Sequence, residues 1–132
     1  MTNQNQQIAT LKDWRGNEYH VNMQLITAIF EQGKAEEVLL CFGNNSVIKI
    51  PKLFNELIEK HSLNETAGFV VFTDPDNGNR IMLNTHNKPL FVGCKYEDRS
   101  NIAYDNGIQI IVKGPANEVM QKTGDGVICH IG

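Results

Sequence analysis

A basic excess is missing from this sequence, and with it the plainest mark of a protein that works on phosphate backbones. The 132 residues carry 12 Lys and Arg against 15 Asp and Glu, a formal net charge of −3. The shortfall is shared along the chain. Residues 1–63 hold six basic and seven acidic groups, and residues 64–132 hold six and eight. A local basic face remains compatible with that balance, because net charge does not constrain local charge. Cysteine is scarce too. Cys41, Cys94 and Cys129 are an odd number without a C-x-x-C pair, which excludes a disulfide framework and points to reduced thiols. No run approaches the ~20 apolar residues that a membrane span needs. The opening "MTNQNQQ" has neither a basic nor an apolar stretch of a secretory leader. The expected location is cytoplasmic, with no membrane partner.

Motifs that carry chemistry are also absent. There is no G-x-x-x-x-G-K phosphate cradle and no G-x-G-x-x-G after a strand. The four histidines, His20, His61, His86 and His130, are scattered, so no metal site is expected. The stretch Asp74-Pro75-Asp76-Asn77-Gly78 resembles the start of a calcium loop. It fails because Gly78 stands at a ligand position and Thr85 replaces the closing Glu. Cys94 beside Lys95, with His86 as the one candidate base, is the low-weight route to thiol catalysis. The expectation is a protein that is not an enzyme, with no cofactor.

What is present is a recurrence. "GNEYHVN" at 16–22 and "GNRIMLN" at 78–84 are built alike, and an offset of 62 aligns Gly16–Lys60 with Gly78–Lys122 without a gap. Eight of those 45 columns are identical, among them Asn22/Asn84, Ile48/Ile110 and Glu56/Glu118. Others, such as Leu40/Ile102 and Phe42/Tyr104, keep apolar against apolar. An internal duplication is the expected cause. Each copy reads as two short strands around a Gly-Asn turn, a third strand, a fourth, a fifth, and then a change from period two to period 3.6. Val38, Leu40 and Phe42 alternate with apolar Leu39 and Cys41, which predicts a strand covered on both faces. "PKLFNELIEKH" and "GPANEVMQKTG" predict amphipathic helices, with Pro51 in the first turn of one and Gly124 ending the other. Asn22 and Asn84 fall at strand ends, where an amide caps a turn.

The predicted class is therefore α+β, mostly β, as a single domain over 1–132. Repeat one covers 8–62, repeat two covers 69–124, and 125–132 form a C-terminal strand or tail. The two copies are expected to be pseudo-symmetric, with their helices covering the sheets. Binding residues are sought on the surface. Trp14, the single tryptophan, lies in a turn with Arg15. It is either an exposed anchor or folded back over a helix, and the second is the commoner fate of tryptophan. Arg80, Lys88, Lys95 and Arg99 make the densest positive group, interspersed with Glu97 and Asp98, and read first as a solvated face.

Two family resemblances follow from these pieces. "LKDWRGNEYHVN", "ITAIFE", "EEVLLCF", "VIKI" and "LFNELIEKH" resemble the small FlbD-type (SwrD-type) flagellar proteins, over residues 8–61. That resemblance implies a bacterial, non-enzymatic protein. The whole chain is similar in layout to LytTR-type DNA-binding domains: strands, a helix, a strand ending in Asn, further strands. That resemblance implies DNA contact through polar and basic loop residues. The chain departs from it in carrying Gly78-Asn79-Arg80 where the family has His-Arg-Ser, in a longer segment between helix and Asn84, and in its acidic balance. The first expectation is a small binding or regulatory protein acting on a protein partner or on itself, as a homodimer joined at free β-edges. The alternative is a nucleic-acid-binding regulator with Arg80, Lys88 and Arg99 as contacts.

Overall fold

The first hairpin shows how the alternation is used. In β1 (Ile8–Lys12) Ala9 and Leu11 are buried while the residues between them are exposed. Its partner β2 (Glu18–Asn22) buries Val21 and leaves Glu18 and His20 outside. The two strands pair antiparallel as a sheet of their own. The computed structural model describes residues 8–33, 36–43, 46–96, 98–123 and 127–130, with backbone alone for 94–96 and 127–130.

After a 3-10 turn at Met23–Leu25 come β3 (Ala28–Glu31), β4 (Val38–Gly43), β5 (Ser46–Ile50) and helix α1 (Phe54–His61). The second series is β6 (Phe69–Thr73), β7 (Arg80–Asn84), β8 (Phe91–Tyr96), β9 (Arg99–Ala103), β10 (Gln109–Lys113), α2 (Ala116–Thr123) and β11 (Val127–His130). Mostly-β α+β is the class. The order of elements recurs at offsets of 61 to 63 residues: β6 begins 61 after β1 (69 − 8), β7 62 after β2 (80 − 18), β8 63 after β3 (91 − 28) and α2 62 after α1 (116 − 54).

The sheets do not follow the recurrence, which corrects the pseudo-symmetric arrangement. The second hairpin joins the strands of the first series in a five-stranded sheet, ordered β5-β4-β3-β7-β6. The remaining strands form a four-stranded sheet, β10-β9-β8-β11, in which β11 lies parallel to β8. The reason is legible in burial. Ile81, Met82, Leu83 and Asn84 of β7 are all buried, so this strand needs cover on both faces and sits inside the stack. The β1–β2 hairpin has a polar outer face and suits an outer layer.

Two cores flank the five-stranded sheet. On one face Ala9, Leu11 and Val21 of the first hairpin meet Ile29, Leu40 and Met82 of the sheet and Phe54 and Leu57 of α1. On the other, Phe72, Ile81 and Leu83 meet Val92, Ile102 and Val112 of the four-stranded sheet and Ala116 and Val119 of α2. Strand β4 gives Val38 and Leu40 to the first core and Cys41 to the edge of the second. Helix α1 starts at Phe54, so Pro51 precedes it instead of occupying its first turn. Leu53 is exposed. Gly124 lies outside the described residues.

Candidate nucleic-acid interface

Strand registers sort the loops to two ends of the molecule. Ala28 pairs with both Cys41 and Leu83, and Phe69 with Asn84. The segments 22–27, 62–68 and 84–90 therefore share one end, together with the paired Gly43 of β4 and Ser46 of β5. Glu31 pairs with Val38, and Thr73 with Arg80, which places the 74–79 turn and the facing ends of β3 and β4 at the other.

Arg80 and Arg99 stand at the second end, and Lys88 at the first, beyond the far end of β7. The anticipated positive group is thus divided. Arg80 is also fully engaged. Its Nη2 donates to Glu31 Oε2 at 2.7 Å and its Nε to Oε1 at 3.2 Å, while its backbone N–H donates to Oε1 at 2.8 Å. Nη1 donates to Asn55 Oδ1 at 2.7 Å, and the guanidinium lies 4.7 Å from the centre of the Phe54 ring. The Arg80 hydrogen bonds hold the Glu31 carboxyl below its ordinary range against opposing desolvation. One side chain ties β7 to β3 and α1, a bracing role. Arg99 is held more loosely, by Asp76 at 3.3 Å and Asp98 at 3.6 Å. Sequence spacing offered no sign of the Glu31–Arg80 pair, whose members are 49 residues apart.

The first end is organised by amides. Asn22 Oδ1 accepts from the Gln24 N–H and Asn84 Oδ1 from the His86 N–H, each at 3.0 Å, so both asparagines cap a turn two residues on. Asn84 is wholly buried and also donates to the Gln24 and Ile26 carbonyls. Asn106 Nδ2 donates to Thr27 Oγ1 at 3.0 Å, linking the two larger sheets. The loop that carries Lys88 is held down at Gly68: Thr85 N–H and Oγ1 both donate to the Gly68 carbonyl at 2.7 Å. A Cβ on Gly68 (φ +91) would stand 2.5 Å from His86 Nε2, whereas one on Gly16 (φ +89) would meet nothing within 4 Å. Gly68→Ala and Gly16→Ala should share a strain of about 1–2 kcal/mol. The first should melt lower by the additional His86 clash, and His86→Ala should remove that difference. Equal melting temperatures for the two glycine variants would refute the steric contact.

The first hairpin ends in a turn built on one carboxylate. Asp13 Oδ1 accepts from the Arg15 and Asn17 N–H groups at 3.0 and 2.9 Å, and Oδ2 accepts from Asn17 Nδ2 and Tyr19 Oη at 3.0 and 3.1 Å. Desolvation alone would raise the Asp13 carboxyl, but these hydrogen bonds outweigh it and hold it low. Trp14 stands on this turn 68% exposed, outside both cores, with the Arg15 guanidinium 5.3 Å from its ring centre. The expectation that it folds back over a helix is overturned. The turn is closed by Asp13, so nothing local draws the indole inward.

Reactive groups are few. Burial pushes the Cys41 thiol up to about 11, which leaves it neutral and unreactive at pH 7. The side chains of Cys94 and Lys95, and Glu97 entirely, lie outside the described residues. Among the described residues no three His, Cys, Asp or Glu side chains gather as metal ligands. His61 Nε2 is buried with no partner among them, and desolvation, then Lys60 and Lys52, lowers its pKa. Among the described residues no helix is long and apolar enough to cross a membrane.

No family model matches the chain, and no curated protein does either. Neither comparison lends support to the flagellar-protein resemblance. The fold is similar to that of a solved structure, the LytTR DNA-binding domain of a Bacillus cereus protein described as a methyl-accepting/DNA response regulator. The TM-score is 0.60 at 14% identity, over 89% of this chain and 97% of that one. At such identity the likeness is one of fold alone.

Proposed function

We propose that this chain is a nucleic-acid-binding regulatory module that docks on duplex DNA and has no catalysis of its own. The likeness of nearly its whole length to a LytTR DNA-binding domain supports that reading more than it supports a protein-only scaffold. The contacts differ in part from those the sequence pointed to: Lys88 stays, and Arg80 and Arg99 are tied to carboxylates. Arg80 and Arg99 would have to abandon carboxylates to reach phosphate. Lys12, Arg15 and Lys88 have no carboxylate partner among the described residues and lie on exposed surface.

Three phosphate contacts give a log–log salt slope of about −2.7. Titrating a labelled random duplex between low and moderate salt measures it. Arg15→Ala and Lys88→Ala should each weaken binding uniformly across sequences and flatten the slope by about one. Arg80→Gln should leave the slope unchanged. No binding at low ionic strength, or a slope near zero, rejects the reading.

A further inference from the structure

We infer that the hairpin tip at Trp14–Arg15 is a stacking wedge for an unstacked nucleobase, so that the preferred ligand is DNA carrying a bulged or otherwise extruded base. This rests on the nucleic-acid reading above and specifies its ligand.

The turn itself does not call for these residues. The second hairpin closes with the same device: Asp74 N–H donates to the Asn79 carbonyl at 2.8 Å, Gly78 N–H to the Asp74 carbonyl at 3.0 Å, and Asp76 N–H to Asp74 Oδ1 at 2.8 Å. Its tip is Pro75-Asp76-Asn77, with no aromatic side chain and with Asp76 turned to Arg99. Equivalent turn chemistry therefore runs without an indole. Core packing does not call for it either, since Trp14 belongs to neither core and is the most exposed of the large apolar residues described.

What remains is a rigid presentation. Asp13 spends four hydrogen bonds on the turn, so the indole projects from a preset backbone and little ordering entropy is left to lose on contact. Arg15 beside the ring and Lys12 at the foot of the turn supply two cations for the phosphates that flank a base. A flat aromatic face with neighbouring cations is the combination that holds unpaired bases. A stacked duplex hides the faces of its bases, so the wedge gains only where one is already out of the stack.

Trp14 is the single tryptophan, so its emission reports on the tip alone. The test uses the full chain, a duplex with a two-nucleotide bulge and its fully paired counterpart, with binding followed independently by anisotropy of labelled DNA. Emission should be quenched on saturation with the bulged probe. Trp14→Ala should weaken that complex roughly 5- to 150-fold, the span of one base–aromatic stack, and leave the melting temperature unchanged. Trp14→Phe should stay within about threefold of wild type. Undisturbed emission at saturation, or equal affinity of Trp14→Ala for both probes and for wild type, overturns the wedge while DNA binding stands. Failure of the wild type to bind either probe overturns the functional reading and the wedge with it. A protein partner from the native host that is lost in Trp14→Ala while DNA binding is intact reassigns the tip to a protein interface and overturns the wedge.

Discussion

Asn84→Ala should cost about 3 kcal/mol of stability and lower the melting temperature by roughly 10 °C. The side chain is fully buried and meets three separate backbone groups. Its Nδ2 donates to the Gln24 carbonyl at 2.9 Å and the Ile26 carbonyl at 3.0 Å, and its Oδ1 accepts from the His86 N–H at 3.0 Å. Alanine leaves all three without a partner, and a buried group that loses its hydrogen bond keeps the whole desolvation penalty. Asn22 supplies the comparison. It is only half-buried and caps one N–H, that of Gln24, so Asn22→Ala should cost about 1 kcal/mol or less. Asn84→Asp should be at least as damaging as alanine, because it turns a carboxylate toward two carbonyl oxygens. Thermal melts of the three variants decide the matter. An Asn84→Ala protein that melts within 2–3 °C of wild type (under about 1 kcal/mol) would show that water replaces the amide.

The second large effect is Arg80→Ala, expected to cost about 2 kcal/mol. The guanidinium makes a two-pronged contact with Glu31 and also engages Asn55 and the Phe54 ring. The figure is held down because the Arg80 side chain is 40% exposed and water screens part of the pair. Arg80→Lys should recover less than half, since an ammonium matches neither the fork nor the ring. The pair also carries a pH signature. The Glu31 carboxyl titrates lower in the folded protein than its ordinary value of 4.5. Its contribution is therefore complete above about pH 4.5 and is lost as the pH falls through the folded value. The gap in melting temperature between wild type and Arg80→Ala, full at neutral pH, should narrow below that point. A gap that stays constant into the acid range would mean that Arg80 acts through Phe54 and Asn55 and not through the Glu31 carboxylate.

These two residues also divide what could be read early from what could not. Asn84 stood out because its position repeats that of Asn22 at a strand end, and turn capping by an amide is a local matter. Its burial was invisible, since that depends on the 3-10 segment 23–25 folding over it. Arg80 was grouped with Lys88 and Arg99 by proximity along the chain. Its true partner, Glu31, comes from another strand of another series.

Alternation, turn residues and helical period are properties of a few neighbouring residues, so the sequence alone settled the order of elements, the mostly-β class and the helices α1 and α2. Which edges pair was decided by tertiary structure. The contacts between Ala28 and Leu83, or between Val127 and Phe91, join segments far apart in the chain. Every free strand edge offers the same backbone hydrogen bonds, so pairing depends on which strands need apolar cover on both faces, and that is known only once the layers are stacked. The exposure of Trp14 and the capture of Arg80 by Glu31 were decided the same way, by what packing leaves outside and what it brings within reach.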